Sequence, residues 1–187
     1  KQPEDYLQGQ DAYLGSKVLQ DGSSDKQKLS ATGAARVLDS EHLLRVSGWQ
    51  GHETANYDES RIPADLDGLS ASTSSRFPLS DHHLLHLELD YFEDNAQRDQ
   101  GPREVPQPDG KWQVRQYNEQ GSQRTQGGKI GWEASDLGSL LADQFTWSLY
   151  GNPSKNSAKK RSLLQNDLLS GYPRYRSERE LSTFTED

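Results

Sequence analysis

Apolar and polar residues alternate with a period of two along most of the chain. In "LLHLELDYF", residues 84–92, every second position from Leu85 to Tyr91 is apolar or aromatic, and His, Glu and Asp stand between them. Because successive side chains of a strand point to opposite faces, this pattern predicts a strand with one apolar and one polar face.

The same alternation recurs in further stretches, and helical spacing appears only weakly, around "SDLGSLLADQ". The chain is therefore predicted to be nearly all β, with about eight strands near 12–20, 29–38, 42–51, 66–78, 83–94, 124–135, 144–151 and 174–185. The apolar faces of four of these strands contain Leu29, Ala31, Gly33, Ala35 and Val37; Leu44, Val46 and Gly48; Ile130, Trp132 and Ala134; and Phe145, Trp147 and Leu149.

Short and long connectors alternate between these strands. The short ones are "DSE", "LSDH" and "DLGSLLAD", and the long ones are predicted near 20–28, 51–65, 97–123 and 152–172. In an antiparallel meander every second connector lies at the same end of the sheet. Short turns at one end and long polar loops at the other are typical of outer-membrane barrels. The fold class predicted is all-β, an antiparallel meander of a transmembrane β-barrel, although a half-exposed soluble sheet would alternate in the same way.

The composition is unusually polar for an ordered chain. Of the 187 residues 30% are hydrophobic, the mean hydropathy is -1.02, the net charge is -8 and there is no cysteine. The acidic balance argues against nucleic acid as a partner. The one basic run, "SKNSAKKRS" at 154–162, is predicted to be a solvated loop. Without cysteine there is no disulfide, thiolate nucleophile or Cys-type zinc site.

Catalytic and metal-binding constellations do not stand out. No acid/base pair or nucleophile is evident, so the chain is not predicted to be an enzyme. His82, His83 and His86 follow a short turn, but on a strand His82 and His86 would lie ~13 Å apart, too far for one ion. No metal site is predicted, and His42 is interpreted as a turn residue.

Five stretches, taken in order, resemble a known family. They are "KQPEDYLQGQDAYLGSKV" (1–18), "GHETANY" (51–57), "HLLHLELDYFEDNAQ" (83–97), "DQFTWSLYG" (143–151) and "RYRSERELSTFTED" (174–187). Together they are similar to the barrel of TonB-dependent receptors, in the branch for haem, haemoglobin, transferrin and lactoferrin. Residues 1–187 look like a partial barrel domain, about the first eight of 22 strands. The plug domain, the TonB box, the later strands and the Phe-Arg-Ala-Pro and Asn-Pro-Asn-Leu boxes of the family are not found in this sequence.

The resemblance implies a function in iron uptake. Such a receptor would lie in the bacterial outer membrane, contact its lipid, bind haem or a haem protein on its extracellular loops, and couple to the TonB complex through the plug. It implies no intrinsic cofactor, with haem as the transported ligand. Two alternatives stay open: a soluble, secreted or periplasmic β-sheet binding module, and a passive porin or adhesin barrel.

"GHETANY" supplies the candidate ligand-binding residues His52, Glu53, Asn56 and Tyr57. A neutral imidazole and a Tyr phenolate can both ligate haem iron. Glu, Thr and Asn in a loop also brace the loop itself by hydrogen bonds, so a structural role is the alternative.

Aromatic and charged residues complete the barrel interpretation. The aromatic residues near strand ends are expected in the girdles of a barrel, or in the core of a soluble sheet. They are Trp49, Tyr91, Trp132, Trp147 and Tyr150. The charged residues expected to face the lumen are Arg36, Arg45, Glu88, Asp90 and Glu133.

Overall fold

The computed structural model describes residues 2–53, 64–100, 103–107, 110–138, 143–166 and 175–185. One short helix precedes a series of strands. The alternation of apolar and polar residues predicts the strands. The elements are α1 (Glu4–Leu7), β1 (Ala12–Asp21), β2 (Lys26–Val37), β3 (Ser40–His52), β4 (Asp65–Ser80), β5 (His83–Gln100), β6 (Arg103–Gln107), β7 (Gly110–Ser135), β8 (Gln144–Gly151), β9 (Ser154–Asn166) and β10 (Tyr175–Thr185).

All of these strands belong to one antiparallel sheet. Its order is β1-β2-β3-β4-β5-β7-β9-β10, with β6 and β8 also paired to β7. The prediction of an all-β antiparallel meander is confirmed. Among the described strands β1 and β10 do not pair with each other, so the sheet is open. No helix in the described part of the chain is long and apolar enough to cross a membrane.

Strands β5, β6 and β7 form one long hairpin. The pairing runs in one register from His83↔Ala134 to Gln100↔Tyr117 and resumes in the same register at Arg103↔Val114. The segment 97–123, predicted as a loop, is therefore mostly strand, and that prediction is wrong. Apolar and polar residues do not alternate in this segment, so hydropathy does not indicate a strand there, and the backbone pairing defines it.

Strands β8 and β9 follow one another along the other side of β7. β8 pairs with 128–135 of β7 and β9 with 112–125, and between them the Gln126 N–H donates to the Pro153 carbonyl at 3.1 Å. The predicted loop 152–172 is thus strand as far as Asn166. The basic run 154–162 is likewise strand and not loop.

The connectors lie at two ends of the sheet, as in any antiparallel meander, but their lengths do not sort by end as the sequence predicts. The turn end contains the connections at 38–39, 81–82 and 136–143, and the loop end contains those at 22–25, 53–64, 108–109 and 167–174. The predicted loop at 20–28 is a tight turn. In it the Asp21 carboxylate accepts the Ser23 N–H at 3.1 Å and the Ser24 hydroxyl at 3.0 Å. These hydrogen bonds, led by that of the Ser23 N–H, lower the pKa of Asp21.

The register places the predicted apolar residues of successive strands on the same side of the sheet, here called the apolar face. Leu14 pairs with Gly33, Gly33 with Leu44, Leu44 with Thr73, and Thr73 with Leu89. The opposite side, here called the polar face, carries the charged residues assigned to a lumen. These are Arg36, Arg45, Glu88, Asp90 and Glu133.

The described residues contain one small buried apolar cluster, and it lies on the polar face. Leu7 of α1 packs with Ala34 and Leu43, and Tyr6 lies against them. Leu7 and Leu43 are each 1% exposed. The N-terminal segment is therefore seated on the strands β2 and β3, and the apolar face takes no part in this core.

Candidate functional site

Many large side chains of the apolar face are exposed. Leu14 is 85% exposed, Val18 73% and Leu149 62%, which is unusual for aliphatic side chains aligned across one sheet. The large apolar residues that are exposed on this face form the apolar belt: Leu14, Val18, Leu29, Val37, Leu44, Val46, Leu69, Leu89, Ile130, Phe145, Trp147 and Leu149.

A polar row bounds the belt on its loop-end side. Across the strands from β1 to β9 this row consists of Gln20, Gln27, Gln50, Asp67, Asn95, Ser122 and Ser157. The change from aliphatic to amide, carboxylate and hydroxyl side chains occurs within one or two rows on β1 to β4. The sheet itself continues through this boundary.

The loop-end edge of the belt slopes across the sheet. On β1 it ends at Val18, which shares its pairing row with Leu29 and Leu69. On β8 it ends at Leu149, whose row reaches Ala12 on β1, six residues before Val18. From β1 to β8 there are six steps between neighbouring strands. The edge stays in one row from β1 to β4 and falls by six residues between β4 and β8, which averages to about one residue per strand over the six steps.

Aromatic rings gather at the turn end of the apolar face. His83 stacks on Trp132 with centroids 5.4 Å apart, and Trp132 meets Phe145 edge-on at 5.8 Å. Trp147 and Phe145 are about half exposed on the same face. Tyr91 lies on the apolar face near its loop-end edge, where its hydroxyl donates to Glu93.

Two of the aromatics assigned to a girdle lie on the polar face. The Trp49 indole stacks on Phe92 and donates to Asp94 at 2.9 Å. Tyr150 follows Leu149 and points away from the belt. The girdle prediction is therefore corrected for Trp49 and Tyr150, because strand alternation puts both beside polar-face residues.

His52 and Glu53, two of the four candidate ligand-binding residues, point to opposite faces. His52 ends β3 on the apolar-face side, where its Nδ1 lies 2.6 Å from a carboxylate oxygen of Asp65. The Glu53 carboxylate contacts Arg98 on the polar face and accepts the Ala64 N–H at 3.4 Å. The structure does not bring these two side chains into one site. Asn56 and Tyr57 lie outside the described residues.

The contacts of Glu53 continue as a charged ladder on the polar face, and the ladder was not predicted. Arg98 lies between the carboxylates of Glu53 and Glu119, and Glu119 also accepts from the Lys160 ammonium at 2.7 Å. Hydrogen bonding to Glu53 raises the pKa of Arg98, and hydrogen bonding to Lys160 lowers the pKa of Glu119. The ladder links the segment after β3 to β5, β7 and β9.

One sequence signal points to the long hairpin that carries this ladder. "PDG" at 108–110 is a strong turn signal between two polar stretches. A hairpin centred on it pairs Arg98 with Glu119, as the structure does. Hydropathy alone does not indicate this pairing.

The N-terminal segment covers a groove on the polar face. The groove holds about 290 Å³. Arg76 binds Glu4 of α1 at 2.6 Å and Glu41 at 3.4 Å, and Gln2 bonds Ser74 and Glu88. The charged and amide side chains along the groove are Gln2, Glu4, Arg76, His86, Glu88, Lys129 and Glu133.

The histidines after the second turn are dispersed. His82 lies in the turn 3.9 Å from Asp136, His83 lies on the apolar face, and His86 lies on the polar face 3.2 Å from Glu133. Within the described ranges no group of three or more His, Cys, Asp and Glu side chains could hold a metal ion.

No protein-family model matches this chain, and no curated protein matches it either.

Proposed function

We propose that the chain is part of the wall of an outer-membrane β-barrel, with the apolar face toward lipid and the polar face toward the lumen. The observation that carries this proposal is the exposed apolar belt and its sloping edge. A soluble binding module would bury Leu89 and Leu149 in a dry core, and both are at least half exposed here.

The average slope of the belt edge has the magnitude that a barrel requires. A belt parallel to a membrane must cross tilted strands at an angle, so across several strands its edge shifts along the sheet. One residue of ~3.3 Å per strand spacing of ~4.8 Å corresponds to a tilt of about 35°. Strands of outer-membrane barrels tilt by about 35–45°.

The polar face supports a wet lumen. Charged and hydroxyl side chains on this face pair with each other across strands, as Arg36 does with Glu41 at 2.8 Å. The same residues facing lipid would each cost about 2–4 kcal/mol at mid-membrane depth. The N-terminal segment lies against this face as an internal element of a barrel would.

Within this class we assign the chain to the wall of a TonB-dependent receptor for haem or a haem protein. The support is the collinear resemblance of the five stretches, with "GHETANY" at the loop end. The loop end contains the longest connection, 53–64, and a ligand from outside would meet that end first. His52 and Glu53 do not share a face, so only one of them could contact a given ligand from its own side. The passive porin or adhesin barrel is the rival within the membrane class.

Circular dichroism of the purified chain in plain buffer and in detergent micelles tests the barrel proposal. We expect a cooperative β signal in micelles and its absence in buffer. A cooperative β fold in plain buffer, with no change on adding micelles, would overturn the proposal in favour of a soluble sheet.

Haem titration of the micellar protein tests the receptor assignment separately. We expect a saturable shift of the Soret absorption band on addition of haem, or saturable binding of a haem protein. If the chain folds in micelles but binds neither haem nor a haem protein, the barrel proposal stands and the receptor assignment fails in favour of a porin or an adhesin.

A further inference from the structure

Arg45 differs from the other arginines on the polar face of β2 to β5. Arg36, Arg76 and Arg98 each contact two carboxylates. Arg45 is partly buried, and among the described residues it has no ion-pair partner, nor does its buried Nε have a hydrogen-bond partner. A charge that is partly removed from water without a partner is costly, so the fold around Arg45 is prepared for an anion.

Two hydroxyl groups flank this guanidinium in the same pairing row. Thr32 of β2 and Ser72 of β4 pair directly with Arg45 and share its face. Side chains that are paired in this way have Cβ atoms ~5 Å apart. Both residues are partly buried, and within the described part of the chain neither hydroxyl has a hydrogen-bond partner. Three polar groups without partners therefore stand side by side.

The N-terminal segment adds a third hydroxyl at the β1 end of this row. Thr32 pairs with Gly15, and the Tyr13 hydroxyl lies over Gly15, where a Cβ would collide with it. The Tyr13 ring contacts Tyr6 of α1, with centroids 5.3 Å apart. The donor groups together are here called the Arg45 site; they belong to Tyr13, Thr32, Arg45 and Ser72.

The surrounding charges favour an anion at the β1 side of the site. Lys17 follows Gly15 by two residues on the polar face and has no ion-pair partner among the described residues. The carboxylate in the row is that of Asp90, which pairs with Ser72 and is exposed. It lies two strand spacings from Arg45, or ~9.6 Å between Cα atoms. Asp90 would repel an anion from the β5 side and so bounds the site there.

The donors match a carboxylate group. A guanidinium donates two parallel hydrogen bonds to the two oxygens of a carboxylate, and hydroxyls can donate to the lone pairs that remain. The single charged donor of the Arg45 site balances the single charge of one carboxylate.

We infer that the Arg45 site binds a carboxylate of a small ligand that enters the lumen. The inference rests on the proposed function, since the polar face lines a lumen only in a barrel. It adds a subsite to that function, because haem carries two carboxylates. The subsite lies on the wall itself and is separate from the loop-end residues His52 and Glu53.

The test is a titration of the micellar protein with succinate, a small dicarboxylate, at low salt. NMR signals of the Thr32 and Ser72 amides and of the Arg45 Nε–H report the binding. Succinamide has the same length without charge and is the control ligand. Arg45→Gln is the test variant, and Arg36→Gln, which removes an arginine that already has carboxylate partners, is the control variant.

We expect succinate to shift these signals in a saturable way in the wild type, and succinamide to leave them in place. Arg45→Gln should bind succinate at least about tenfold more weakly, because the charge-assisted contact is lost, and Arg36→Gln should bind it like the wild type. Equal affinity of Arg45→Gln and the wild type would overturn the inference. Succinamide that bound as tightly as succinate would do the same.

Urea unfolding without ligand tests whether Arg45 already has a partner in the fold. Arg45→Gln should leave the midpoint unchanged or raise it, since no ion pair is lost, whereas Arg36→Gln should lower it. An equal decrease in both variants would show that Arg45 is paired within the protein, against the inference. Asp90→Asn should tighten succinate binding, and weaker binding in that variant would contradict the site as placed here.

Further outcomes separate the inference from the proposed function. If the chain folds in plain buffer and binds succinate through Arg45, the barrel proposal fails while the carboxylate site stands. If the micellar protein binds haem but not succinate, the inference alone fails. If an end-blocked peptide with one Asp binds as tightly as succinate, the occupant is a protein side chain and the assignment to a small ligand fails.

Discussion

The Trp49 indole lies across Gly68 to reach Asp94, so a side chain on β3 bonds one on β5 over the strand between them. Its Nε1 donates to the Asp94 carboxylate at 2.9 Å. Gly68 pairs with both residues, and a Cβ at position 68 would collide with the indole. A glycine on β4 is thus what allows this contact on the polar face.

Gly68→Ala is expected to displace the indole and to lower the free energy of unfolding by about 1–3 kcal/mol, since the hydrogen bond to a carboxylate is lost. Gly48→Ala is the matched control, because a Cβ there meets only the Gly68 carbonyl oxygen, at 3.8 Å. Urea unfolding of the micellar protein measures both. This explanation would be contradicted if Gly68→Ala lowered the free energy of unfolding as much in a Trp49→Phe background as in the wild type.

Leu89→Arg is expected to prevent assembly into bilayers, because it places a charge in the middle of the apolar belt at a cost of about 2–4 kcal/mol. Ser70→Arg adds the same side chain to the polar face and should assemble normally. Flotation of each variant with vesicles gives the result. Normal assembly of Leu89→Arg would show that the apolar face does not meet lipid.

Arg98→Ala should loosen the segment after β3 without unfolding the sheet. Glu53 would lose its contact with a guanidinium, whereas Glu119 would keep its bond to Lys160. Hydrogen exchange at the amides of Glu53 and Ala64 is expected to accelerate. The exchange rates of the β7 amides are expected to stay unchanged. Arg124→Ala, which also removes an Arg–Glu pair, serves as the control and should leave those two amides protected.

The Glu119–Lys160 contact predicts a defined pH window of stability. The pKa of Glu119 is lowered in the fold, so its contribution is present above the unfolded pKa of about 4.3 and is lost as pH falls through the lowered value. The pKa of Lys160 is raised, so its contribution is present below about 10.4 and is lost as pH rises through the raised value.

Urea midpoints measured from pH 3 to 11 would trace this window. Glu119→Gln should flatten both limbs, because it removes the ionic partner of Lys160 as well as the titrating carboxyl. If the urea midpoint of that variant changed as steeply with pH as that of the wild type, the pH dependence would arise from other groups.

Leu7→Ala should detach the N-terminal segment from the polar face. Leu7 is 1% exposed, and removing a buried Leu side chain costs about 2–5 kcal/mol. Leu38→Ala is the control, since Leu38 is 92% exposed in a turn. Limited proteolysis is expected to cleave near residue 8 in the first variant only. Equal protection in both would mean that the ion pair of Glu4 with Arg76 suffices to hold the segment.

The sequence predicts the strands that have one apolar and one polar face. At 84–90 hydropathy and strand pairing agree, because Leu85, Leu87 and Leu89 face one side and Glu88 and Asp90 the other. At 110–123 and 154–166 apolar and polar residues do not alternate, so hydropathy does not indicate a strand, and only backbone pairing reveals β9 and the first half of β7. These are the segments that lie beyond the belt.

The candidate site is less predictable than the fold. "GHETANY" indicates a polar cluster at a strand end, but the opposed directions of His52 and Glu53 depend on where β3 ends. Arg98 and Glu119 are distant in the chain and meet only because the long hairpin keeps one register. The alternation of apolar and polar residues does not indicate that Arg98 and Glu119 are paired.

The tilt of the belt also measures a thickness. On β4 the apolar face extends from Leu69 of the belt to Phe77 at the turn end, eight residues or ~26 Å along the strand. At a tilt of about 35° this spans ~22 Å of hydrocarbon, close to the thin bilayer that outer-membrane barrels occupy and well short of an average bilayer of ~30 Å. In membranes with longer acyl chains the lipid must compress around the wall or the strands must stand more upright. The chain should therefore insert fastest into bilayers of short lipids, and membrane thickness alone would direct it to one compartment over another.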